Sequence, residues 1–355
     1  MRILHIMAGG KHGGAETAFV DMCIAQHEAG QTIEVATRKN SARVSRLEKA
    51  GIKVHTLPFG GKVDLYTPLA LTHIIKAFKP HITQNWMSRA SRFTPRWDES
   101  MKIPRYLNFA RLGTPYKMKY YANVEYFAAI TPDIRDYIIE HGIFSDHVRH
   151  LNNFAEVEPV DAPIDPSDYG ADAETPIILG LGRLHPDKAF DTLIKVAKKI
   201  PKAHFWIAGE GPQREELETL IKELDLEERV KLLGWRTDRA ALLQAADVCA
   251  FISRNEGFGT VFVQCWAQKT PVVACNADGP RQFIRHEADG LISEIDNEDA
   301  IQANIERLLT DSELCQTLIK NGFERYKNEF TKDASVKGYI DFYKYALERE
   351  NIPLT

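Results

Sequence analysis

The sequence predicts an α/β protein of two Rossmann-like domains facing across a cleft, and three observations carry that prediction. Its 355 residues exceed the roughly 250 to 300 at which one hydrophobic core usually stops growing. Short β-branched runs alternate with helical patterns, as parallel sheets flanked by helices require. The alternation halts at 154–176, a stretch rich in Pro, Asp and Ala that reads as an interdomain connection, and then restarts. The expected division is an N-terminal domain at 1–160, a C-terminal domain at 161–334, and a terminal helix within 335–355 that packs back on the first domain.

Taken in order, the first half offers RILHIM, a helix over about 15–29, TIEVAT, a helix near 41–50, KVHTL, a helix near 68–78, and HITQNW. In the first helix Phe19, Met22, Cys23 and Gln26 follow helical spacing, so that stripe is core. The second half repeats the scheme with PIILGLGRL, a helix carrying Leu193, Ile194, Val196 and Ala197, HFWIAGEG, a charged helix over about 212–224, and VKLLGW. A helix around 239–245, VCAFIS, the loop and helix SRNEGFGTVFVQCWAQ, PVVAC and further helices complete it. Ligands in such folds lie at the C-terminal ends of the strands.

Composition narrows the partners. Hydrophobic residues at 44% and charged residues at 26% are ordinary globular usage. A net charge of −4 gives no general attraction to nucleic acid or membrane, so any such contact needs a local patch. The five cysteines, Cys23, Cys249, Cys265, Cys275 and Cys315, have no metal-ligand or disulfide spacing. They read as buried thiols of a cytoplasmic protein. The opening MRILHIM is too short for a signal peptide.

Glycines follow strands at three places: Gly9, Gly10, Gly13 and Gly14; Gly180 and Gly182; Gly257 and Gly259. Glycine lets backbone approach a ligand closely, and a following helix presents unpaired N–H groups with partial positive charge. A diphosphate suits such turns, although each could equally be a plain strand-to-helix connection. Arg183 and Lys188 add a planar fork and a point charge beside the second turn. The alternative for both is a solvated surface charge. With no D-x-D pair present, these cations are expected to neutralise the diphosphate in place of a divalent metal. Glu256 repels phosphate and is expected to accept bonds from sugar hydroxyls, while Gly259 and Thr260 present the helix end. Gln264, one turn further along the same face, would meet a ribose. His12 sits in the first glycine turn, near a leaving group or acceptor, and Glu16 reads as a helix cap or a catalytic group. His5 and His55, in strand patterns, read as satisfied structural histidines.

These residues resemble the retaining family 4-type glycosyltransferases, typified by bacterial lipopolysaccharide-core, capsule and mannosyl transferases, whose fold of two Rossmann-like domains is called GT-B. The resemblance rests on HGGAE at 12–16, GLGRLHPDKAFDTLI at 180–194, IAGEGPQREEL at 207–217, LLGWR at 232–236, NEGFGTVFVQ at 255–264 and GPRQFIRHEADGLI at 279–292. It implies that Arg183 and Lys188 hold a donor diphosphate, and that Glu256 with the amides of Gly257, Phe258 and Gly259 holds the donor sugar. Trp235 and Arg236 would lie beside the nucleobase, and Gly13, Gly14, Gly182 and Gly209 would complete the donor side. Arg183, Lys188 and Glu256 are then the expected catalytic residues, in a front-face displacement that needs no protein nucleophile, no cofactor and no metal. The chain departs from the family pattern at Gln264 and Gln282, both commonly glutamate, and at Trp86, which stands where an N-domain histidine is usual.

Between Trp86 and Tyr121, cations from Arg89, Arg92 and Arg96 to Lys119 interleave with Phe93, Trp97, Tyr106, Phe109, Tyr116 and Tyr120. A solvated basic face over core aromatics is one reading. The other is a surface for an anionic glycan or glycolipid acceptor, and for an anionic membrane surface at the cytoplasmic face of the inner membrane. Nucleic acid is not an expected partner, since no recognition motif accompanies the charge. The function expected is transfer of a sugar from a nucleotide sugar to a lipopolysaccharide, capsule or other surface-glycan acceptor. A GT-B nucleotide-sugar epimerase and a non-catalytic glycosyltransferase-like partner are the alternatives.

Overall fold

Buried, near-continuous apolar strands are what a parallel sheet covered on both faces by helices demands, and the chain supplies two sets of them. The computed structural model describes residues 1–10, 13–61, 64–155, 160 and 162–354. The chain divides into one unit of Met1–Asn153 with Lys332–Thr355 and a second of Phe154–Thr331.

The first unit runs β1 (Arg2–Met7), α1 (Gly14–Glu28), β2 (Thr32–Thr37), α2 (Ser41–Lys49), β3 (Lys53–Thr56), α3 (Tyr66–Phe78), β4 (Ile82–Trp86), α4 (Met87–Phe93), β5 (Leu107–Leu112), β6 (Tyr126–Ala129), α5 (Pro132–Glu140) and β7 (Val148–His150). Its seven-stranded sheet has the order β3-β2-β1-β4-β5-β6-β7 and is parallel throughout. Asn40 caps α2 by accepting from the Arg43 N–H, and Thr131 caps α5, which starts with Pro132.

The second unit runs β8 (Ile177–Leu181), α6 (Phe190–Lys199), β9 (His204–Ala208), α7 (Arg214–Glu223), β10 (Val230–Gly234), α8 (Arg239–Ala245), β11 (Val248–Phe251), α9 (Thr260–Gln268), β12 (Val272–Cys275), α10 (Pro280–Phe283), β13 (Leu291–Ser293), α11 (Glu298–Thr310) and α12 (Ser312–Arg325). Its six-stranded parallel sheet has the order β10-β9-β8-β11-β12-β13. One core joins Leu193, Ile194 and Val196 of α6 to Ile178, Phe205 and Val248 of the sheet. All five cysteines are free thiols, four of them buried.

The last helix, α13 (Lys332–Arg349), belongs to the first unit. Its Phe342 and Tyr343 pack edge-on against Phe109 of β5, and the Tyr343 hydroxyl donates to Gln84 Oε1 of β4 at 2.7 Å. The aromatic stripe of α13 therefore closes one face of that sheet.

The fold divides the basic aromatic stretch expected between Trp86 and Tyr121. LNFARL is the buried strand β5, and Phe93, Tyr106 and Phe109 are core. Arg111 is only 3% exposed: it lies against the Trp86 ring at 4.9 Å and donates to Asn153 Oδ1 at 2.8 Å. Exposed cations survive at Arg89, Arg92, Arg96, Lys102, Lys117 and Lys119. Burial takes Phe93, Tyr106 and Phe109 and leaves Trp97, Tyr116 and Tyr120 half-buried.

His5 lies in β1 with both ring nitrogens bonded. The Trp86 indole N–H donates to Nδ1 at 3.1 Å, so the proton sits on Nε2, 3.0 Å from Gln26 Oε1. Burial lowers its pKa to about 4, against a weaker upward pull from Gln26. The unfolded chain, with an ordinary histidine pKa near 6.5, binds the proton that the folded chain refuses. Stability is therefore complete above about pH 6.5 and declines as pH falls towards 4, by on the order of 3 kcal/mol. Unfolding midpoints measured across that window should fall with pH in the native protein and fall less steeply in His5→Asn; equal slopes would remove His5 as the source.

Candidate functional site

Strand order reverses between β8 and β11 in the second sheet, and the crevice outside such a reversal is where open α/β sheets bind ligands. The loops that leave those two strands carry GR at 182–183, Lys188, and the turn 253–259. Topology alone thus brings together segments some seventy positions apart in the chain.

Glycine makes the two turns compact enough to meet their neighbours. A Cβ on Gly209 would stand 1.7 Å from the Gly182 carbonyl oxygen, and one on Gly211 would stand 2.3 Å from that of Leu184. The β9 turn lies directly against the β8 turn, laced by Gly182 N–H to Ala208 and Leu184 N–H to Glu210. Gly259 has φ +84°, in the left-handed region that glycine occupies without strain. A Cβ there would meet the Phe251 ring at 2.4 Å and Glu256 Cγ at 2.9 Å. Beneath it the Gly279 N–H donates to the Glu256 carbonyl at 2.7 Å.

On this frame Lys188 Nζ donates to Glu256 Oε2. Both side chains are largely but not fully buried. The methylenes of Lys188 run past Gly182, 3.4 to 3.5 Å from the position of an absent Cβ. The structure therefore gathers Gly182, Lys188 and Glu256. Arg183 is exposed, and its guanidinium has no hydrogen-bond or ion-pair partner among the described residues. Helix α9 starts at exposed Thr260 with no side chain capping it, so the N–H groups of its first turn are open to an anion. Gln264, half-buried on the same helix, has no side-chain partner among the described residues. Gln282 donates instead to the Asp278 carbonyl.

Other expected positions fall differently. The Phe258 ring packs on Phe262 and Phe283 in the core, so only its main chain faces the turn beside exposed Gly257. Arg236, expected beside a base, has its guanidinium committed: it forks onto Asp238 and bonds the Tyr169 hydroxyl. Asp238 holds that arginine above its ordinary pKa and is itself pulled below the usual carboxylate range. Trp235 remains the open member of the pair, 76% exposed.

In the first unit Glu16 curls back on the glycine turn, accepting from the Gly10 N–H at 2.7 Å. Gly13 precedes α1 as its cap residue and nothing lies near Gly14. His12 falls outside the described residues. Trp86 corrects the acceptor-side expectation: at 1% exposure its indole is bonded to His5 and unavailable to a ligand. Arg89 is exposed but tied to the carbonyls of Phe59 and Gly60, and Arg92 is exposed with its guanidinium 6.0 Å from the Phe93 ring. Sequence reading passed over Arg254, two positions before Glu256, whose guanidinium binds Asp191, Asp296, Thr192 and Pro186. Nothing in its neighbours along the chain distinguishes it from a solvated charge.

Comparison with known proteins bears on the family and the fold. The family model described as "Glycosyl transferases group 1" matches residues 161–325. The lipopolysaccharide core biosynthesis glycosyltransferase LpsD of Rhizobium meliloti is 31% identical over 97% of this chain and 98% of its own. Among solved structures, a glycosyltransferase from Rickettsia africae superposes with a TM-score of 0.86 at 18% identity, over 98% of each chain. HepE of Anabaena, solved in complex with UDP and glucose, superposes with a TM-score of 0.77 at 21% identity, over 96% of this chain and 98% of its own. The two parallel-sheet domains share the GT-B fold of these structures.

Proposed function

Because the chain belongs to the group 1 glycosyl transferases, we propose that it moves a sugar from a nucleoside diphosphate sugar to a lipopolysaccharide core or related surface-glycan acceptor, with retained anomeric configuration. The observation that carries this reading is the meeting of Lys188, Glu256, Gly182 and the uncapped start of α9 at the strand reversal of the second sheet. A diphosphate needs cationic and N–H donors, and a sugar needs a carboxylate acceptor beside them; that turn holds both. Similarity to LpsD along almost the whole chain supports the acceptor class.

In this reading the α9 amides and Lys188 hold the diphosphate, and the unpaired Arg183 swings onto it. Both cations stabilise the charge that grows on the departing phosphate, an effect worth several kcal/mol. That phosphate accepts the acceptor's proton, so no protein nucleophile is required. Neutralisation falls to the two side chains and not to a divalent ion. Lys188 has three donors, so its bond to Glu256 leaves two for phosphate oxygens while aligning the carboxylate for sugar hydroxyls. The test is incubation of nucleoside diphosphate sugars, UDP-sugars first given the HepE complex, with deacylated lipopolysaccharide core. NMR should show a product linkage with the anomeric configuration of the donor. An inverted linkage, or sugar conversion without acceptor, would refute the proposal.

The same reading gives the first unit a place at an anionic membrane surface. Leu65, Tyr66 and Leu69 are 75%, 64% and 71% exposed at the start of α3. Arg38 and Arg89 both donate to the Phe59 carbonyl, and the Phe59 N–H donates to Thr67 Oγ1 of α3, which brings two cations to the end of the helix that carries this apolar patch. No helix among the described residues is long and apolar enough to cross a membrane. Cosedimentation with vesicles should rise with the fraction of anionic lipid and fall with salt, and indifference to both would discard the membrane surface.

A further inference from the structure

The β11 loop that delivers Glu256 also delivers Arg254, and this arginine reaches across to the loop that delivers Lys188. Its Nη1 donates to the Pro186 carbonyl at 2.9 Å and to Asp191 Oδ1 at 2.9 Å. Its Nη2 donates to Asp191 Oδ2 at 2.7 Å and to Thr192 Oγ1 at 3.0 Å, and its Nε lies 2.7 and 2.9 Å from the two oxygens of Asp296. A guanidinium has five N–H donors, and every one is used. The backbone repeats the connection: the N–H groups of Arg254 and Asn255 both donate to the Asp187 carbonyl, at 2.7 and 3.3 Å.

Pro186–Lys188 is a single 3-10 turn, and the residue after it, Ala189, has φ +56°. A non-glycine residue in that region carries strain that its surroundings must hold in place. The Arg254 guanidinium grips the turn at Pro186 on one side and at Asp191 and Thr192, the first turn of α6, on the other. Thr192 in turn donates to Asp296 at 2.7 Å, closing the network. Lys188 thus projects from a turn whose two flanks are fastened by a single side chain.

We propose that Arg254 is a positioning residue, which fastens the 186–192 turn so that Lys188 Nζ stands at Glu256. The functional consequence rests on the reading of Lys188 as a diphosphate-binding cation; the positioning itself does not. Arg254 touches no substrate in this account and acts only through Lys188. A purely structural role would lower stability without a selective effect on Lys188.

The test uses the full-length protein with Arg254→Ala and Arg254→Lys. Lysine keeps the charge and stem but has three donors for the five bonds, so R254K is expected to fold where R254A does not. The reactivity of Lys188 towards an amine-acylating reagent is read by peptide mass spectrometry, with the exposed Lys198 and Lys202 as internal references. The expected result is a several-fold rise at Lys188 in R254K with the references unchanged; an unchanged Lys188 would overturn the proposal. In parallel, inorganic pyrophosphate is titrated into wild type, R254K, K188A and the double variant. R254K should weaken pyrophosphate binding by roughly tenfold in the wild-type background and add no further loss to K188A. Losses that add would overturn the action through Lys188. If wild type fails to bind pyrophosphate, the diphosphate reading falls, and the acylation result alone decides the positioning.

Discussion

Replacing Lys188 with alanine is expected to lower turnover by roughly 10²- to 10³-fold, the range seen when one preorganised donor to a developing negative charge is removed. The loss should be in the chemical step, with a smaller change in KM, because the leaving phosphate carries more charge in the transition state than in the bound donor. Folding is affected less. Glu256 retains 18% of its side-chain exposure and can rehydrate when its partner is lost, so the broken, largely buried pair costs on the order of 1 to 3 kcal/mol. Initial rates and a thermal unfolding midpoint on the same sample separate the two effects. Turnover near that of wild type would remove Lys188 from the catalytic assignment, and a collapsed midpoint would make it a structural residue.

Gly209→Ala is expected to act through the opposite route, on the fold of the second unit. Its new methyl would stand 1.7 Å from the Gly182 carbonyl oxygen and 2.8 Å from the carbonyl carbon. Both are backbone atoms, so no rotamer change relieves the clash. One turn must retreat, breaking the Gly182 N–H bond to Ala208 or the Leu184 N–H bond to Glu210. One lost hydrogen bond together with the displaced packing around both turns corresponds to about 3 kcal/mol. That is a fall of roughly 6 to 12 °C in the midpoint of a unit this size. Because the retreat displaces Gly182 and Arg183, residual activity at a permissive temperature should also fall. A wild-type midpoint would show that the turns are not packed as described.

The two effects mirror what was legible in the sequence. Apolar runs alternating with helical periodicity gave both sheets, and strands β1 to β4 lie almost where RILHIM, TIEVAT, KVHTL and HITQNW place them. Glycines after strands marked turns because their reason is local: a close approach or an unusual backbone angle. The strands β5 to β7 escaped notice because arginines and lysines break their neighbourhood, and Arg111 enters the core by lying against Trp86, a contact with no trace along the chain. Trp86 itself, the last residue of β4, was assigned because a family histidine usually stands there, whereas its indole N–H found an acceptor on His5 of the neighbouring strand. Arg236 and Arg254 illustrate the same limit from opposite sides. Both sit beside motif glycines or glutamates, yet one is held by Asp238 and Tyr169 and the other bridges Asp191 and Asp296. The Tyr169 contact of Arg236 and the Asp191 and Asp296 pairs of Arg254 are made by tertiary structure, and spacing cannot announce them.

In the proposed reading a diphosphate is gripped by the open N–H groups of α9 together with Lys188 and Arg183, without a divalent ion. Calorimetric titration of a nucleoside diphosphate in the presence of EDTA tests it most directly. Wild type should bind with chelator present, and the Arg183→Ala, Lys188→Ala double variant, still folded at the titration temperature, should bind roughly 100-fold or more weakly. Binding that vanishes with EDTA, or that survives undiminished in the double variant, would contradict it.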